Sequence, residues 1–362
     1  MQFQFLETDN LQDFDYKNKV VFPPYFEMLK ETFDSYDNLK SFLNSHSYIK
    51  KWLIISDYAL DDKNKNGNFI TFTIVPNYFA IDYLMKTTRS LQSKDIKKTK
   101  TINPDFIQFL RSSIFFNISI ELPSNREEMI GSAKNYFSCL YECLKQNYND
   151  PKVKSQCRYF ISKLNGKSKF PLHVDIDLIS CIVSLIELQI FKHVPDIGNI
   201  CWLSDRDKIL TTFGQEGKEQ ISPMIFNLIN YRSKMLFSML TVPFKKNSEV
   251  ILSFGYPEPV GRMWYDSLIR IPDFIVGSLA DNDQKEMIVS KEIFKEMLEK
   301  VISNEDLNLI FRINFIDGEI SITKTIYSLM CAEKTGGFNL VNYRHSSGVY
   351  HEQETEDLHR RI

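Results

Sequence analysis

The sequence has few of the residues that build metal clusters or disulfide frameworks. It contains 6 cysteines and 6 histidines in 362 residues, and the cysteines are scattered through apolar segments. Cys139 and Cys143 share one helical face at i,i+4 spacing, but no second Cys/His pair with ligand spacing accompanies them. This pattern argues against a zinc site and favours buried, reduced thiols.

The chain also lacks a strong net charge, a membrane-length apolar run and a basic, apolar start. Its formal net charge is −2, so any nucleic-acid site must be a local patch rather than the attraction of the whole molecule. The most apolar helical segment, Leu178 to Phe191, contains Glu187 and Gln189 and is too short to cross a bilayer. We therefore expect a cytoplasmic protein without a signal peptide and without membrane contact.

Apolar and aromatic residues, in contrast, are plentiful. Hydrophobic residues make up 43% of the chain, with 28 Phe and 17 Tyr, which predicts a sizeable, aromatic-rich core. Strand-like and helix-like patterns alternate along the sequence. The predicted strands are 52–60, 69–76, 113–122, 200–205 and 249–254, and the predicted helices are 78–91, 124–146, 151–194 with a break near 165–166, 224–240 and 271–279.

Three regions are predicted. Residues 1–50 form an N-terminal extension, residues 51–283 the main domain, and residues 284–362 a small C-terminal α+β appendage. The appendage should contain a charged helix over 285–302 and a hairpin whose strands, 307–315 and 319–327, flank the turn residues Asp317 and Gly318. Beyond the hairpin, the polar tail from residue 334 is expected to fray. This C-terminal region is also a candidate surface for contact with a partner protein.

Aspartates fall at informative places in this order of elements. Asp57 closes the first predicted strand, Asp205 closes the fourth with Asp207 beside it, and Asp273 lies in the last helix of the main domain. Two-metal phosphodiester hydrolysis needs several carboxylates that converge from different elements. An all-oxygen ligand set suits Mg²⁺, with Mn²⁺ as the alternative. Asp57, Asp205, Asp273 and Asp207 are therefore the candidate metal ligands, and the first three are the candidate catalytic residues.

At these positions the sequence resembles an uncharacterised ribonuclease H-like family of bacteria and phage. The segments Ser56-Asp57-Tyr58-Ala59, Ser204-Asp205-Arg206-Asp207 and Pro272-Asp273-Phe274-Ile275-Val276-Gly277 take the places of its three motifs, and Asp266-Ser267 also looks like that family. The resemblance covers roughly residues 52–280. It implies an α/β fold with a ribonuclease H-like mixed sheet and an enlarged helical insert between the third and fourth strands.

The first motif departs from the Asp-Glu-Ser-Gly of that family. Tyr58 replaces the glutamate and Ala59 the glycine, so one metal ligand of the family is predicted to be missing. Asp61, Asp207 or Glu121 are the candidate replacements.

Each acid also has a purely structural interpretation. Asp57 is typical of a turn after a strand, Asp205 and Asp207 of a turn with Arg206 and Lys208, and Asp273 of a favourable charge in a first helical turn. Asp281 and Asp283 are expected in a solvated loop at the helix end. The lysines at 94, 97, 98, 100, 152, 154, 163, 167 and 169 are consistent either with a solvated face or with a nucleic-acid path.

Two functions follow as hypotheses. The first is a divalent-metal-dependent nuclease that acts on RNA or DNA. The second is a catalytically inactive ribonuclease H-like subunit that binds or scaffolds, with a defence or mobile-element system as the context that such families suggest.

Overall fold

A single mixed sheet of nine strands runs through the described part of the chain. The computed structural model describes residues 23–131, 133–147, 149–166, 171–206, 224–244, 250–255, 263–284, 286, 288–328, 339–346 and 349–352. Its strands are β1 Lys51–Ala59, β2 Asn68–Pro76, β3 Phe116–Leu122, β4 Asn199–Ser204, β5 Ile251–Gly255, β6 Asn308–Ile316, β7 Glu319–Ser328, β8 Asn339–Ser346 and β9 Val349–Glu352. Their order in the sheet is β5-β4-β1-β2-β3-β6-β7-β8-β9.

Helices cover both faces of this sheet. They are α1 Pro24–Ser35, α2 Asp37–Ser45, α3 Ile81–Leu91, α4 Pro104–Leu110, α5 Ala133–Asn147, α6 Pro151–Asn165, α7 Leu172–His193, α8 Met224–Thr241, α9 Asp266–Asp281 and α10 Glu292–Met297. Shorter turns of helix occupy Ile96–Lys98, Arg126–Ile130 and Leu298–Ile302. The predicted α/β class with a mixed sheet is thereby confirmed.

The strand directions divide the sheet into two parts. β1, β2 and β3 form an antiparallel meander, while β4 runs parallel to β1 and β5 parallel to β4. On the other side β6 runs parallel to β3 and continues into the antiparallel strands β7, β8 and β9. The residues of the predicted C-terminal appendage thus extend the same sheet.

Alternation along β1 assigns its side chains to two separate cores. Trp52 and Ile54 pack in a core shared with α1, α2, α5, α6, α7 and α8. Leu53 and Ile55 pack in a second core on the opposite face, shared with α3, α4, α9 and α10. Because successive side chains of a strand point to opposite faces, this pattern extends to the polar residues that follow Ile55.

α7 is buried along almost its whole length. It begins at Leu172, and Asp175 and Asp177, which are of a residue type that usually caps helices, lie inside it. Both are buried and bonded to the guanidinium groups of Arg126 and Arg232, respectively.

Within the described residues, no helix is both long enough and apolar enough to cross a membrane.

α9 begins earlier than predicted. It starts at Asp266, so Pro272 lies in its interior and Asp273 is a mid-helix residue. The interpretation of Asp273 as a first-turn charge was therefore wrong. Because proline has no amide hydrogen, Pro272 cannot donate the helical hydrogen bond to the carbonyl of Leu268.

The C-terminal hairpin agrees with its sequence signal. Asp317 and Gly318 join β6 to β7, and both have positive φ angles, 53° and 83°, as a two-residue turn with this twist requires. Two other expectations differ from the structure. The helix expected from 285 begins at Glu292, and residues 339–346 and 349–352 form strands where a frayed tail was predicted.

Candidate active site

A cleft of about 870 Å³ opens beside the carboxyl ends of β1 and β4. Asp57, Asp205 and Asp273 all line it. They reach it from three elements, because Asp57 is on β1, Asp205 follows β4 and Asp273 is on α9. Acids that lie far apart in the sequence therefore share one cavity.

The first two acids are neighbours because their strands are parallel and in register. Ser56 pairs with Ser204, and the amide of Asp205 donates a 3.0 Å hydrogen bond to the carbonyl of Ser56. The side chain of Asp57 is held near the backbone, since its Oδ1 accepts from the amide of Tyr58 at 2.8 Å. Side chains alternate between the two faces of a strand, and the odd-numbered residues of β1 and β4 face the core shared with α9. Asp57 and Asp205 are odd-numbered and lie on the same face.

Tyr58 faces the opposite core. Its hydroxyl lies 2.8 Å from Ser56 Oγ and 2.9 Å from Ser204 Oγ, and Trp202 Nε1 donates to Ser56 Oγ at 2.9 Å. This buried network ties β1 to β4 beneath the acids. A carboxylate at position 58 would therefore point away from the face that carries Asp57.

The ends of β4 and β5 are fixed from the cleft side by Tyr265. Its hydroxyl donates to the carbonyl oxygens of Ser204 at 2.9 Å and Gly255 at 3.2 Å. A Cβ on Gly255 would lie 2.9 Å from the Tyr265 ring and 2.4 Å from Leu203 Cδ2. Only glycine fits this close approach without displacing its neighbours.

Asp273 is oriented by the turn that follows α3. The amide of Ile96 donates to Asp273 Oδ2 at 3.0 Å, and Gly277 keeps α9 close to that turn, since a Cβ there would lie 3.2 Å from Ile96 Cγ2. Burial, together with the negative charges of Asp95 and Asp205, raises the pKa of Asp273 to about 7, although the hydrogen bond from Ile96 and the charge of Lys97 act to lower it. Negative charge is therefore crowded in the cleft.

The cleft holds further acids that the sequence did not mark as site residues, namely Asp62, Asp95, Asp266 and Asp281. Asp266 was noticed only because it resembles a residue of the family. Asp95 was not singled out because it lies in a lysine-rich segment that is typical of an exposed loop. Asp281 was expected in solvent, but it is buried. It accepts from Lys65 Nζ at 3.1 Å and from the amide of Ser290 at 2.7 Å, because α9 ends against those two segments.

Two of the candidate replacement ligands are engaged elsewhere. Asp61 borders the cleft, but its two carboxylate oxygens accept from Arg126 at 3.1 and 2.9 Å. Glu121 accepts from Arg312 at 2.8 Å in a different surface pocket at the end of β3. Asp207, the remaining replacement and metal-ligand candidate, lies outside the described residues.

The donor set of the cleft suits a hard divalent cation. Its charged donors are carboxylates, the ligands that Mg²⁺ and Mn²⁺ prefer. A cation would offset the negative charges of Asp95 and Asp205, which add to the effect of burial on the pKa of Asp273. The carboxylates are nevertheless not preassembled, since no three His, Cys, Asp or Glu side chains in the described ranges are grouped as metal ligands.

Comparison with known proteins gave no relative. No protein-family model matches the chain, and neither curated proteins nor solved structures gave a significant match. Its function must therefore be argued from the cleft itself.

Proposed function

We propose that this protein is a divalent-cation-dependent nuclease of the ribonuclease H-like class that hydrolyses phosphodiester bonds of RNA or DNA. One observation carries the proposal. Asp57, Asp205 and Asp273 come from two adjacent parallel strands and a crossing helix, and they line the same cleft. Convergence of carboxylates from separate elements is what two-metal hydrolysis requires.

The order of the elements supports the same class. Three antiparallel strands come first, the enlarged helical insert α5–α7 follows, and then come two parallel strands, each followed by a helix. Three strands followed by two strand–helix pairs is the element order of a ribonuclease H-like fold. Fold likeness says little about substrate, so the proposal for hydrolysis depends on the acids.

In this proposal Asp57, Asp205 and Asp273 hold the cations. Bound Mg²⁺ or Mn²⁺ would supply an activated water and neutralise charge on the phosphate. The chain itself contributes orientation, because Ile96 fixes one oxygen of Asp273 and the amide of Tyr58 fixes one oxygen of Asp57. Lys63, Lys97 and Lys291 are exposed at the cleft and offer positive charge to a polyanion.

Cleavage of end-labelled RNA and DNA tests the proposal. Wild-type protein with Mg²⁺ or Mn²⁺ should cut at least one of them, and EDTA should stop the reaction. Asp57→Asn and Asp205→Asn should each lower the rate about 100-fold or more, since a metal stabilises the transition state by several kcal/mol. Asp105→Asn, at an exposed first-turn position of α4, is the matched control and should cleave like wild type. Metal-independent cleavage, or cleavage unaffected in both cleft variants, would refute the proposal.

A second function is favoured by the lack of a preassembled ligand group in the described residues. In this alternative the chain is an inactive ribonuclease H-like module that binds or scaffolds. Stoichiometric nucleic-acid binding without cleavage in Mg²⁺ or Mn²⁺, unchanged in Asp57→Asn and Asp205→Asn, would support it over the nuclease.

A further inference from the structure

A ladder of exposed aromatic rings lies at the opposite end of β1 from the acidic cleft. The rings of Tyr48 and Tyr78 are 5.8 Å apart, those of Tyr78 and Phe79 are 6.3 Å apart, and those of Phe79 and Tyr83 are 5.3 Å apart. Tyr48 is 69% exposed, Phe79 59% and Tyr83 60%. Large aromatic side chains are usually buried, so three exposed rings in one continuous ladder form an unusual surface.

Positive charge accompanies these rings. Lys50 and Lys51 precede and open β1, and Lys86 and Arg89 follow Tyr83 along α3, all with exposed side chains. None of the four forms an ion pair with another residue that the structure describes. One acid, Asp82, is exposed on the same helix. The balance is therefore locally basic in a chain whose net charge is −2.

The helix α3 connects this surface with the cleft. It begins near the end of β2, where the amide of Asn77 bonds to the carbonyl of Lys51 at 2.8 Å. At its other end, the carbonyl of Gln92 accepts from Arg270 of α9 at 2.9 Å. The exposed Lys94 and Lys97 then follow, and Lys97 lines the cleft. Rings and cations thus follow one another in a line along α3 and the segment after it, which reaches the cleft at Lys97. The helix itself, at eleven residues, accounts for about 16 Å of this line.

We infer that this line, from Tyr48, Tyr78, Phe79 and Tyr83 past Lys86 and Arg89 to Lys97, binds a single-stranded polynucleotide and leads it to the cleft. The inference rests on the proposed function and narrows its substrate to single strands or single-stranded regions. Exposed rings stack on unpaired bases, which a duplex does not present, and the lysines and arginine contact the backbone phosphates. A protein partner would match the rings, but it would leave the exposed cations and their path to the cleft without a role.

Fluorescence anisotropy in EDTA tests the inference without any hydrolysis. Labelled single-stranded DNA and RNA of about 20 nucleotides, enough to span such a surface, are compared with duplexes of the same length. Single strands should bind at least tenfold more tightly than duplexes, and the two single strands show whether the site distinguishes RNA from DNA. Phe79→Ala and Tyr83→Ala should each weaken single-strand binding about tenfold. Lys86→Gln and Arg89→Gln should each reduce the slope of log affinity against log salt by about 0.7.

Matched controls come from α6, where Arg158 and Tyr159 are also exposed. Arg158→Gln and Tyr159→Ala should leave single-strand binding and its salt dependence unchanged, and thermal unfolding should show that all variants are folded. Equal affinity for duplex and single strand, or α3 variants that bind like wild type, would overturn the inference. So would α3 variants that change the sedimentation of the protein but not its oligonucleotide binding, since they would mark a protein-docking surface. If binding behaves as expected but no metal-dependent cleavage occurs, the proposed nuclease fails and the single-strand site stands.

Discussion

The amide of Asp205 donates a hydrogen bond to the carbonyl of Ser56, the residue before Asp57. This 3.0 Å bond extends the parallel pairing of β1 and β4 one residue beyond the pair Ser56 and Ser204. It keeps the two acids side by side at the strand ends. A slip of one residue in either strand would turn its acid to the opposite face of the sheet, so the site depends on the register of these strands.

The hydroxyl network beneath the acids should hold that register. Tyr58→Phe removes both contacts of the hydroxyl with Ser56 and Ser204 and should lower the free energy of unfolding by about 1–3 kcal/mol, at about 0.5–1.5 kcal/mol per bond. Tyr58→Glu restores the residue type of the resembled motif but buries a carboxylate on the wrong face. It should destabilise the fold by more than Tyr58→Phe and should not raise any metal-dependent cleavage. Urea unfolding and the cleavage assay measure the two effects, and a more active Tyr58→Glu protein would contradict this account.

The raised pKa of Asp273 predicts that cation binding depends on pH. Its carboxyl is protonated below about pH 7, and a cation must displace that proton to be bound by it. Affinity for Mn²⁺ should therefore rise up to about tenfold per pH unit below 7 and level off above it. Titration calorimetry at pH 6, 7 and 8 measures this. Asp273→Asn should bind more weakly and lose this part of the pH dependence, and a flat wild-type profile would contradict the prediction.

Much of the fold was predictable because its signals are local. The alternating residues of β6 and β7 and the turn residues Asp317 and Gly318 specify the hairpin with little help from the rest of the chain. Helix starts were less predictable. Asp175 looks like a cap because aspartate usually stays in solvent at helix starts, and only the distant Arg126 makes its burial inside α7 acceptable. Pro272 misled in a similar way, since proline favours first turns but here lies in the interior of α9.

The part of the site that lies at strand ends was predictable from the sequence, because the ends of the strands were. Asp57 and Asp205 could be paired from the sequence, because parallel neighbours bring their carboxyl ends together. Asp95 and Asp281 could not, since their approach depends on how the segment after α3 and the end of α9 pack. The face of Tyr58 was available from simple alternation along β1, but comparison with a linear motif obscured it.

Arg126 should be a major contributor to stability. Its guanidinium is fully buried and bonds both Asp175 of α7 and Asp61 beside the cleft. Arg126→Met would remove the guanidinium that bonds the buried carboxylate of Asp175, so the free energy of unfolding should fall by about 3–5 kcal/mol. The double variant Arg126→Met/Asp175→Leu should recover much of that loss.

An exposed ion pair provides the control for this experiment. Lys40→Met removes the contact with Asp37, whose side chain is 88% exposed, and should cost no more than about 1 kcal/mol. Urea unfolding of the three variants separates the cases. If Arg126→Met is no less stable than Lys40→Met, the Arg126 network contributes little to stability.

Glu187 should make the stability of the protein fall as the pH rises from about 4.5 to about 8. It is 1% exposed within α7, and burial raises its pKa to about 8 despite the positive charge of Lys234. Because the folded pKa lies above that of the unfolded chain, the neutral form stabilises the fold at low pH. This stabilisation is lost as the pH rises toward 8, by at most about 1.4 kcal/mol per pH unit.

Glu187→Gln keeps the shape of the side chain but cannot ionise. It should unfold at a similar urea concentration to wild type at pH 5 and at a higher one at pH 9, because the wild-type protein must then bury a carboxylate. Glu292→Gln, at an exposed position in the first turn of α10, should follow the wild-type profile. If the Glu187→Gln and wild-type profiles are parallel from pH 5 to 9, the pKa of Glu187 does not differ between the folded and the unfolded protein, and the pH dependence of stability must come from other groups.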